Sequence, residues 1–221
     1  MKNLLIVLLA LPVMAQAQLE VGADYGPNFY KISERYTGSR ATYSFSGYTS
    51  GMYSEVTGTG SIFTLSYRFN KVLLAGIGFD SYVLPLSGIV PGDFYYSHPM
   101  TNLYVYAGSE HTSGRITVSP QLMAGKSIVT GCDYTPTGTS TNGGGLLLEF
   151  RLSIDYNIWN GICLNLQGCG GAAFINLDMP DVSGYSNANG KETIALFHIA
   201  GGLHYRLAFK HASKGTAKTL K

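Results

Sequence analysis

The sequence predicts an all-β fold, a single antiparallel up-and-down barrel of about eight strands. Eight segments of the 221-residue chain alternate apolar and polar residues with a period of two, and a β-strand sends alternate side chains to opposite faces. The connections between these segments alternate between short and long. Charged residues make up only 13% of the chain, against about 25% in soluble domains, so the polar faces consist mostly of small uncharged residues.

The predicted strands follow one another along the whole chain after residue 18. The clearest is the sixth, in which Leu148, Phe150 and Leu152 alternate with Glu149 and Arg151. The fourth is the weakest. The fifth contains Pro120, which cannot donate to a ladder, so a bulge is expected there. The eight segments are residues 19–25, 61–69, 73–82, 100–108, 115–128, 148–156, 162–174 and 194–209.

The lengths of the connections indicate a barrel that crosses a membrane. Short turns are predicted at 70–71, 109–114 and 157–160, and long loops at 28–60, 83–99, 129–145 and 175–193. Bacterial membrane barrels have short periplasmic turns and long extracellular loops. Their aromatic girdles lie at the interfaces, and aromatic residues cluster here near the short turns: Tyr67, Phe69, Tyr156, Trp159, Tyr205 and Phe209.

The charged faces of the strands are predicted to line the lumen. An arginine facing lipid at the bilayer midplane costs about 2–4 kcal/mol, whereas enclosed charges of both signs offset their desolvation by pairing. The lumen network predicted on this basis comprises Glu20, Asp24, Arg68, Asp80, Arg115, Glu149, Arg151, Asp155, His198, His204 and Arg206.

The first 17 residues have the layout of a secretory signal peptide. Lys2 precedes an apolar run from Leu4 to Val13 that is too short to span a bilayer, and cleavage is predicted after Ala17. A retained N-terminal anchor is the alternative. Export with a formal net charge of +2 predicts no nucleic-acid partner.

The three cysteines predict neither a disulfide framework nor a zinc site. Cys163 and Cys169 lie on one strand face, about 20 Å apart at 3.3 Å per residue, and Cys132 is placed in a loop. They are interpreted as small residues that fill the lumen or a loop. The glycine-rich stretches fit no phosphate loop or nucleotide fingerprint, so no metal, cofactor or catalytic motif is predicted.

Residues 19–209 resemble the small outer-membrane β-barrels of Gram-negative bacteria, the eight-stranded kind typified by OmpA and OmpX. The last strand resembles the assembly signal of that family, with Leu203, Tyr205, Leu207 and Phe209 in alternation. The resemblance implies that the barrel-assembly machinery, outer-membrane lipid and lipopolysaccharide are partners. Residues 210–221 are predicted to be a disordered basic periplasmic tail, too short for a peptidoglycan-binding domain.

Three functions remain open from the sequence. The first is a structural or surface-interaction role, in which an extracellular ligand or host surface is bound through the first long loop or an added strand. The second is a lipid A-modifying enzyme that uses His198 or His204 with Asp80 or Glu149. The third is a soluble lipocalin-type barrel with its apolar faces inward. The candidate binding residues of the loop are Tyr36, Tyr43, Phe45, Tyr48 and Tyr53.

Overall fold

The computed structural model describes residues 18–40, 43–51, 58–69, 72–87, 95–134, 139–178 and 186–208. The predicted signal peptide and tail, Tyr53 and Phe209 lie outside these ranges. None of the described residues forms a helix long and apolar enough to cross a membrane. The strands are β1 (Gln18–Arg40), β2 (Tyr43–Gly51), β3 (Gly58–Arg68), β4 (Leu73–Ser87), β5 (Tyr95–Ser109), β6 (His111–Ser113), β7 (Ile116–Tyr134), β8 (Thr139–Trp159), β9 (Ile162–Asp178) and β10 (Ser186–Ala208).

Eight of these strands close into an antiparallel barrel. The sheet runs β10-β9-β8-β7-β5-β4-β3-β1, and β10 pairs with β1 from Gln18↔Ala208 to Ser39↔Ser186. β2 pairs with the part of β1 beyond β3, and β6 continues β5 to its turn with β7. The predicted all-β barrel is confirmed, and closure removes its sheet edges within the wall.

The register gives the tilt of the strands. Hydrogen-bonded partners followed once around the barrel from Ala23 return to β1 at Ser33, a stagger of 33 − 23 = 10 residues. With eight strands about 4.8 Å apart and about 3.3 Å per residue, this stagger corresponds to a tilt of about 40°. Transmembrane barrels have tilts of about 35–45°.

The outer surface of the barrel is apolar, and its interior contains the charged and polar side chains. On β8, Glu149, Arg151 and Asp155 are buried, whereas Leu148 and Phe150 are 46% and 49% exposed. The same alternation holds on the other barrel strands. A soluble barrel of lipocalin type requires the opposite arrangement, because so large an apolar surface is unfavourable in water. The structure therefore excludes that alternative.

Two tight turns lie at the end of the barrel where β1 begins, at Gln18. Asn160 and Gly161 have φ angles of 44° and 85°, the positive pair that a two-residue type I′ hairpin requires. Gly114 has a φ of 61° next to Arg115. Trp159, beside the first turn, is 68% exposed, where an interfacial girdle residue is expected. This end is called the lower end below, and the end with the long connections the upper end.

Two local predictions were wrong. Pro120 causes no bulge in its own strand, because β7 pairs with β8 in continuous register through Pro120↔Leu152. The neighbouring strand is interrupted at Glu110, between β5 and β6, but its register with β7 continues from Gly108↔Gln121 to His111↔Val118. Cys132 lies in β7, paired with Thr141, rather than in a loop.

The long loops were predicted too long, because the strands continue well beyond the barrel wall. β1 extends to Arg40 and returns as β2, and β10 begins at Ser186. The alternation that identified the strands weakens where neither face meets lipid or lumen, so it marks the barrel wall and misses these extensions.

Candidate functional site

A charged cluster closes the lower part of the lumen. Glu20 receives ion pairs from Arg68 at 2.7 Å and from Arg206 at 2.6 Å. Arg206 also pairs with Asp155 at 2.5 Å, and Arg68 pairs with Glu110 at 2.7 Å. These side chains come from β1, β3, β8 and β10 and from the break between β5 and β6, so the cluster ties opposite sides of the wall together.

His204 completes this lower cluster. Its Nε2 lies 2.9 Å from Asp24, and its Nδ1 lies 3.2 Å from Glu20 and 3.3 Å from Asp155. Carboxylates offer only acceptors when ionised, so an imidazolium with two N–H donors satisfies both sides. Three cationic groups then face the four carboxylates of Glu20, Asp24, Glu110 and Asp155, which makes the cluster nearly neutral.

The lower cluster has the donor atoms of a metal site but is occupied by its own cations. Glu20, Asp155 and His204 offer ligand atoms within 4.8 Å of one another. Arg68 and Arg206 already bond the same carboxylates. An ion would have to displace both guanidinium groups, so the residues fit a structural ion-pair network better than a metal centre.

A second layer lies higher in the lumen around Asp80. The Asp80 carboxylate accepts hydrogen bonds from Tyr82 at 2.8 Å and from Tyr104 at 2.6 Å. Arg151 donates to the Tyr104 oxygen at 2.5 Å and, through Nε, to Cys169 at 3.3 Å. Tyr104 thus links Arg151, which is 2% exposed, to Asp80, and Arg151 forms no direct ion pair with a carboxylate in the part of the chain that the structure describes.

His198 extends this middle layer on β10. Its Nδ1 lies 3.3 Å from the Tyr82 oxygen, and since that hydroxyl donates to Asp80, Nδ1–H of the histidine is the donor. Its Nε2 has no hydrogen-bond partner among the described residues, and neither has either carboxylate oxygen of Glu149.

Inward glycines make room for the tyrosines of the middle layer. Gly78 is paired with Tyr104, Gly76 with Tyr106 and Gly60 with Tyr82. A Cβ on any of the three would collide with the ring opposite. The tyrosine rings therefore lie across the bare backbone of the neighbouring strand, and the two tyrosines that contact Asp80 reach it from there.

Above the middle layer the inward side chains are apolar. Met100, Val129, Leu147, Ala173 and Ile194 are each fully buried in one cluster near the upper end. An eight-stranded barrel has an interior just wide enough for its own side chains. The described lumen is consequently packed from the lower cluster to the apolar cluster.

No protein-family model matches the chain, and no curated protein matches it by sequence. Solved structures do match its fold. The outer membrane protein OprG from Pseudomonas aeruginosa has a TM-score of 0.59 and 11% identity, over 87% of this chain and 97% of that one. This chain has the fold of a small outer-membrane β-barrel. With its lipid-facing exterior, the barrel is an outer-membrane protein.

Other outer-membrane barrels match more weakly. Neisserial surface protein A has a TM-score of 0.45 and 12% identity, over 82% of this chain and 96% of that one. The outer membrane protease OmpT from Escherichia coli has a TM-score of 0.44 and 11% identity, over 86% and 97%. A fold hosts unrelated functions, so the outer-membrane barrel fold leaves the activity to be argued from the residues.

The structure places ten of the eleven predicted lumen residues inside the barrel and one outside it. Arg115 is exposed in the turn between β6 and β7, because the chain reverses at Gly114 and the strand alternation does not reach it. The sequence interpretation missed Glu110, which was placed in a turn but enters the lumen on the same side as Asn102, Tyr104 and Tyr106. It also missed the inward Tyr82, Tyr104 and Tyr106, because no face was predicted for the tyrosines of β4 and β5.

The candidate binding loop is a β-hairpin above the wall. Tyr36 lies on β1, and Tyr43, Phe45 and Tyr48 lie on β2, paired from Ile32↔Gly51 to Arg40↔Tyr43. β1 pairs on its other side with β10 as far as Ser186. The strands β2, β1 and β10 therefore continue as one sheet above the upper end of the barrel, with β9 still paired to β10 as far as Asn189↔Asp178.

Proposed function

We propose that this outer-membrane barrel is a surface-interaction protein that binds an extended peptide segment of an extracellular partner at the edge of β2. The observation that carries the proposal is the pairing of β2, which among the described residues pairs with β1 alone. An edge strand presents a row of unpaired N–H and C=O groups. Such an edge recognises an added strand by main-chain hydrogen bonds.

The composition of the hairpin supports the same role. Residues 36–53 contain four tyrosines and one phenylalanine among serine, glycine and threonine. Tyrosine supplies large contact area at low entropic cost, and serine and glycine adapt to the partner. A ladder gives affinity for the backbone of the partner, and these side chains give the selectivity.

A catalytic role has less support. His198 is 1% exposed between the charged lower cluster and the apolar upper cluster, and both nitrogens of His204 face carboxylates. General acid–base chemistry requires these groups to reach a substrate. We therefore assign the histidines to the lumen network, and not to lipid A modification.

Export and assembly are proposed from the sequence and the last strand. Leu203, Tyr205 and Leu207 face outward on β10 and are exposed, as an assembly signal for the barrel-assembly machinery requires. Cleavage after Ala17 leaves Gln18, the first residue of β1, as the start of the mature chain.

Deletion of residues 38–54 tests the binding proposal. The wild-type barrel in nanodiscs is expected to select peptides from a displayed random-peptide library, and the deletion to lose them because the β2 edge is gone. Deletion of residues 88–94, which connect β4 and β5 on the same side, is the control and is expected to retain binding.

Two results would contradict the proposal. One is a wild-type barrel that selects no peptides beyond those that empty nanodiscs select. The other is a set of peptides that bind the 38–54 deletion as tightly as the wild type. A heat-dependent gel shift of each variant shows that the barrel itself has folded.

A further inference from the structure

A single lysine, Lys126, lies on the apolar outer surface of the described barrel wall. In the strand residues 18–30, 59–69, 73–83, 99–109, 116–130, 142–159, 162–176 and 193–207, the only exposed charged side chain is Lys126 on β7. Its direct neighbours on the adjacent strands are Leu103 and Leu146. A charge in such surroundings is costly unless it reaches the interface or a counter-charge.

Its depth places Lys126 at the upper boundary of the apolar band. Ten residues separate it from Ile116, the first residue of β7, and at a tilt of about 40° this is a rise of about 25 Å. The apolar band of such barrels is about 25 Å tall. The upper end carries the long connections, which face the outside in outer-membrane barrels, so Lys126 lies at the level of the outer-leaflet headgroups.

The side chain of Lys126 has room to point upward. Gly144 lies on the neighbouring strand, two residues above Leu146. The Cε of Lys126 lies only 3.4 Å from where a Cβ of Gly144 would be. The lysine stem thus crosses bare backbone and carries its ammonium toward the headgroups, as lysines near membrane interfaces do.

An apolar trough leads down from Lys126. It is an open depression of about 730 Å³ on the lipid-facing surface of β1, β3, β4, β5 and β7. Its lower wall is one ladder row of outward side chains: Val21, Leu65, Ile77, Val105 and Ala124. Phe63, Phe79 and Leu103 form the upper wall, which ends at Lys126.

The dimensions of the trough suit one leaflet. It crosses four strand spacings, about 19 Å at 4.8 Å each. On β1 it begins three residues above Gln18, at a height of about 8 Å, and on β7 it ends at Lys126, at about 25 Å, so at the strand tilt it climbs about 17 Å. One leaflet of a bilayer with a hydrocarbon core of about 30 Å is about 15 Å deep.

We infer that the trough and Lys126 form a binding site for a phosphorylated lipid of the outer leaflet, with an acyl chain of lipid A in the trough and its phosphate on the Lys126 ammonium. A single cation accounts for selectivity toward an anionic headgroup, and the apolar walls account for the chain. The inference rests on the membrane position of the barrel and is independent of the proposed peptide binding.

The test compares retention of diphosphoryl lipid A and of the same lipid without its phosphates, by native mass spectrometry of the folded barrel. The wild type is expected to prefer the phosphorylated lipid. Lys126→Gln is expected to lower its retention about fivefold, the worth of one cation near an anionic surface. Lys191→Gln, the exposed lysine on β10, is the matched control and is expected to behave as the wild type.

Two further arms test the trough and the source of the phosphate. Ala124→Phe fills the trough on its outer, lipid-facing side and is expected to lower retention of both lipids. Glucosamine phosphate without acyl chains is expected not to compete. Equal retention by wild type and Lys126→Gln, an equal loss in Lys191→Gln, unaltered binding to Ala124→Phe, or competition by the soluble sugar phosphate would each overturn the inference. The heat-dependent gel shift controls for folding of each variant.

Discussion

At the scale of single residues, the lumen contains two carboxylates in opposite situations. Glu20 accepts from Arg68, Arg206 and His204. Glu149 is 5% exposed, and neither of its oxygens has a hydrogen-bond partner among the described residues. A buried charge is tolerated when it is paired and costly when it is not. The two residues therefore contribute to stability with opposite signs.

Replacement of each carboxylate by its amide measures that difference. Glu149→Gln is expected to raise the free energy of unfolding by about 1–3 kcal/mol, since it removes an unpaired buried charge. Glu20→Gln is expected to lower it by about 3–5 kcal/mol, since it removes the carboxylate that Arg68, Arg206 and His204 share and leaves three buried cations with one negative charge fewer. Urea unfolding in lipid vesicles, followed by the fluorescence of Trp159, gives both values. A loss of stability in Glu149→Gln comparable to that in Glu20→Gln would contradict this account.

At the scale of elements, β4 and β5 are joined by tyrosine rings that lie over glycines. The ring of Tyr104 occupies the space beside Gly78 and is fixed there by Asp80 and Arg151. It cannot swing aside without breaking both hydrogen bonds. The glycine is thus required by the neighbouring strand and not by its own backbone angles. On the outer face of β9, by contrast, a Cβ on Gly168 meets no atom within 4 Å.

The pair Gly78→Ala and Gly168→Ala separates these two kinds of glycine. Gly78→Ala is expected to destabilise the barrel by about 1–3 kcal/mol, the usual cost of overpacking, and to lower the fraction that folds in vesicles. Gly168→Ala is expected to fold as the wild type does. The folded fraction is measured as the heat-modifiable band on a gel. An unaltered Gly78→Ala barrel would show that Tyr104 does not depend on the glycine.

At the scale of the whole molecule, two layers of side chains block the described lumen at different heights. The charged cluster around Glu20 and Arg206 fills its lower part, and the apolar cluster around Met100 and Leu147 fills its upper part. Ions crossing such an interior would have to break buried ion pairs and then enter an apolar layer, which costs several kcal/mol per ion.

The closed lumen predicts that the barrel does not conduct. Purified protein inserted into a planar bilayer is expected to leave the conductance at the level of the bare membrane under moderate voltage. A larger porin inserted into the same bilayer is the positive control. Steady single-channel steps from the protein alone would contradict the packing described here.

The sequence by itself determined the wall of this protein. Alternation over segments such as 148–156 identified the strands and their two faces. The low fraction of charged residues, together with the alternation of short turns and long loops, identified the charged face as the inner one. The Asn160-Gly161 turn was also readable, because that dipeptide favours the positive φ angles of a tight hairpin. These features are local, so a single strand or turn contains the whole signal.

Only the tertiary structure decided which lumen groups meet. Strand alternation places His204 inside, but its contacts with Asp24 and Asp155 depend on a stagger of ten residues around the closed wall. Glu110 lies on the inward parity of β5, but its pairing with Arg68 of β3 depends on the closed wall, and the trough below Lys126 exists only because five strands align their outward rows. Register is a property of all the strands together, and no single segment of the sequence encodes it.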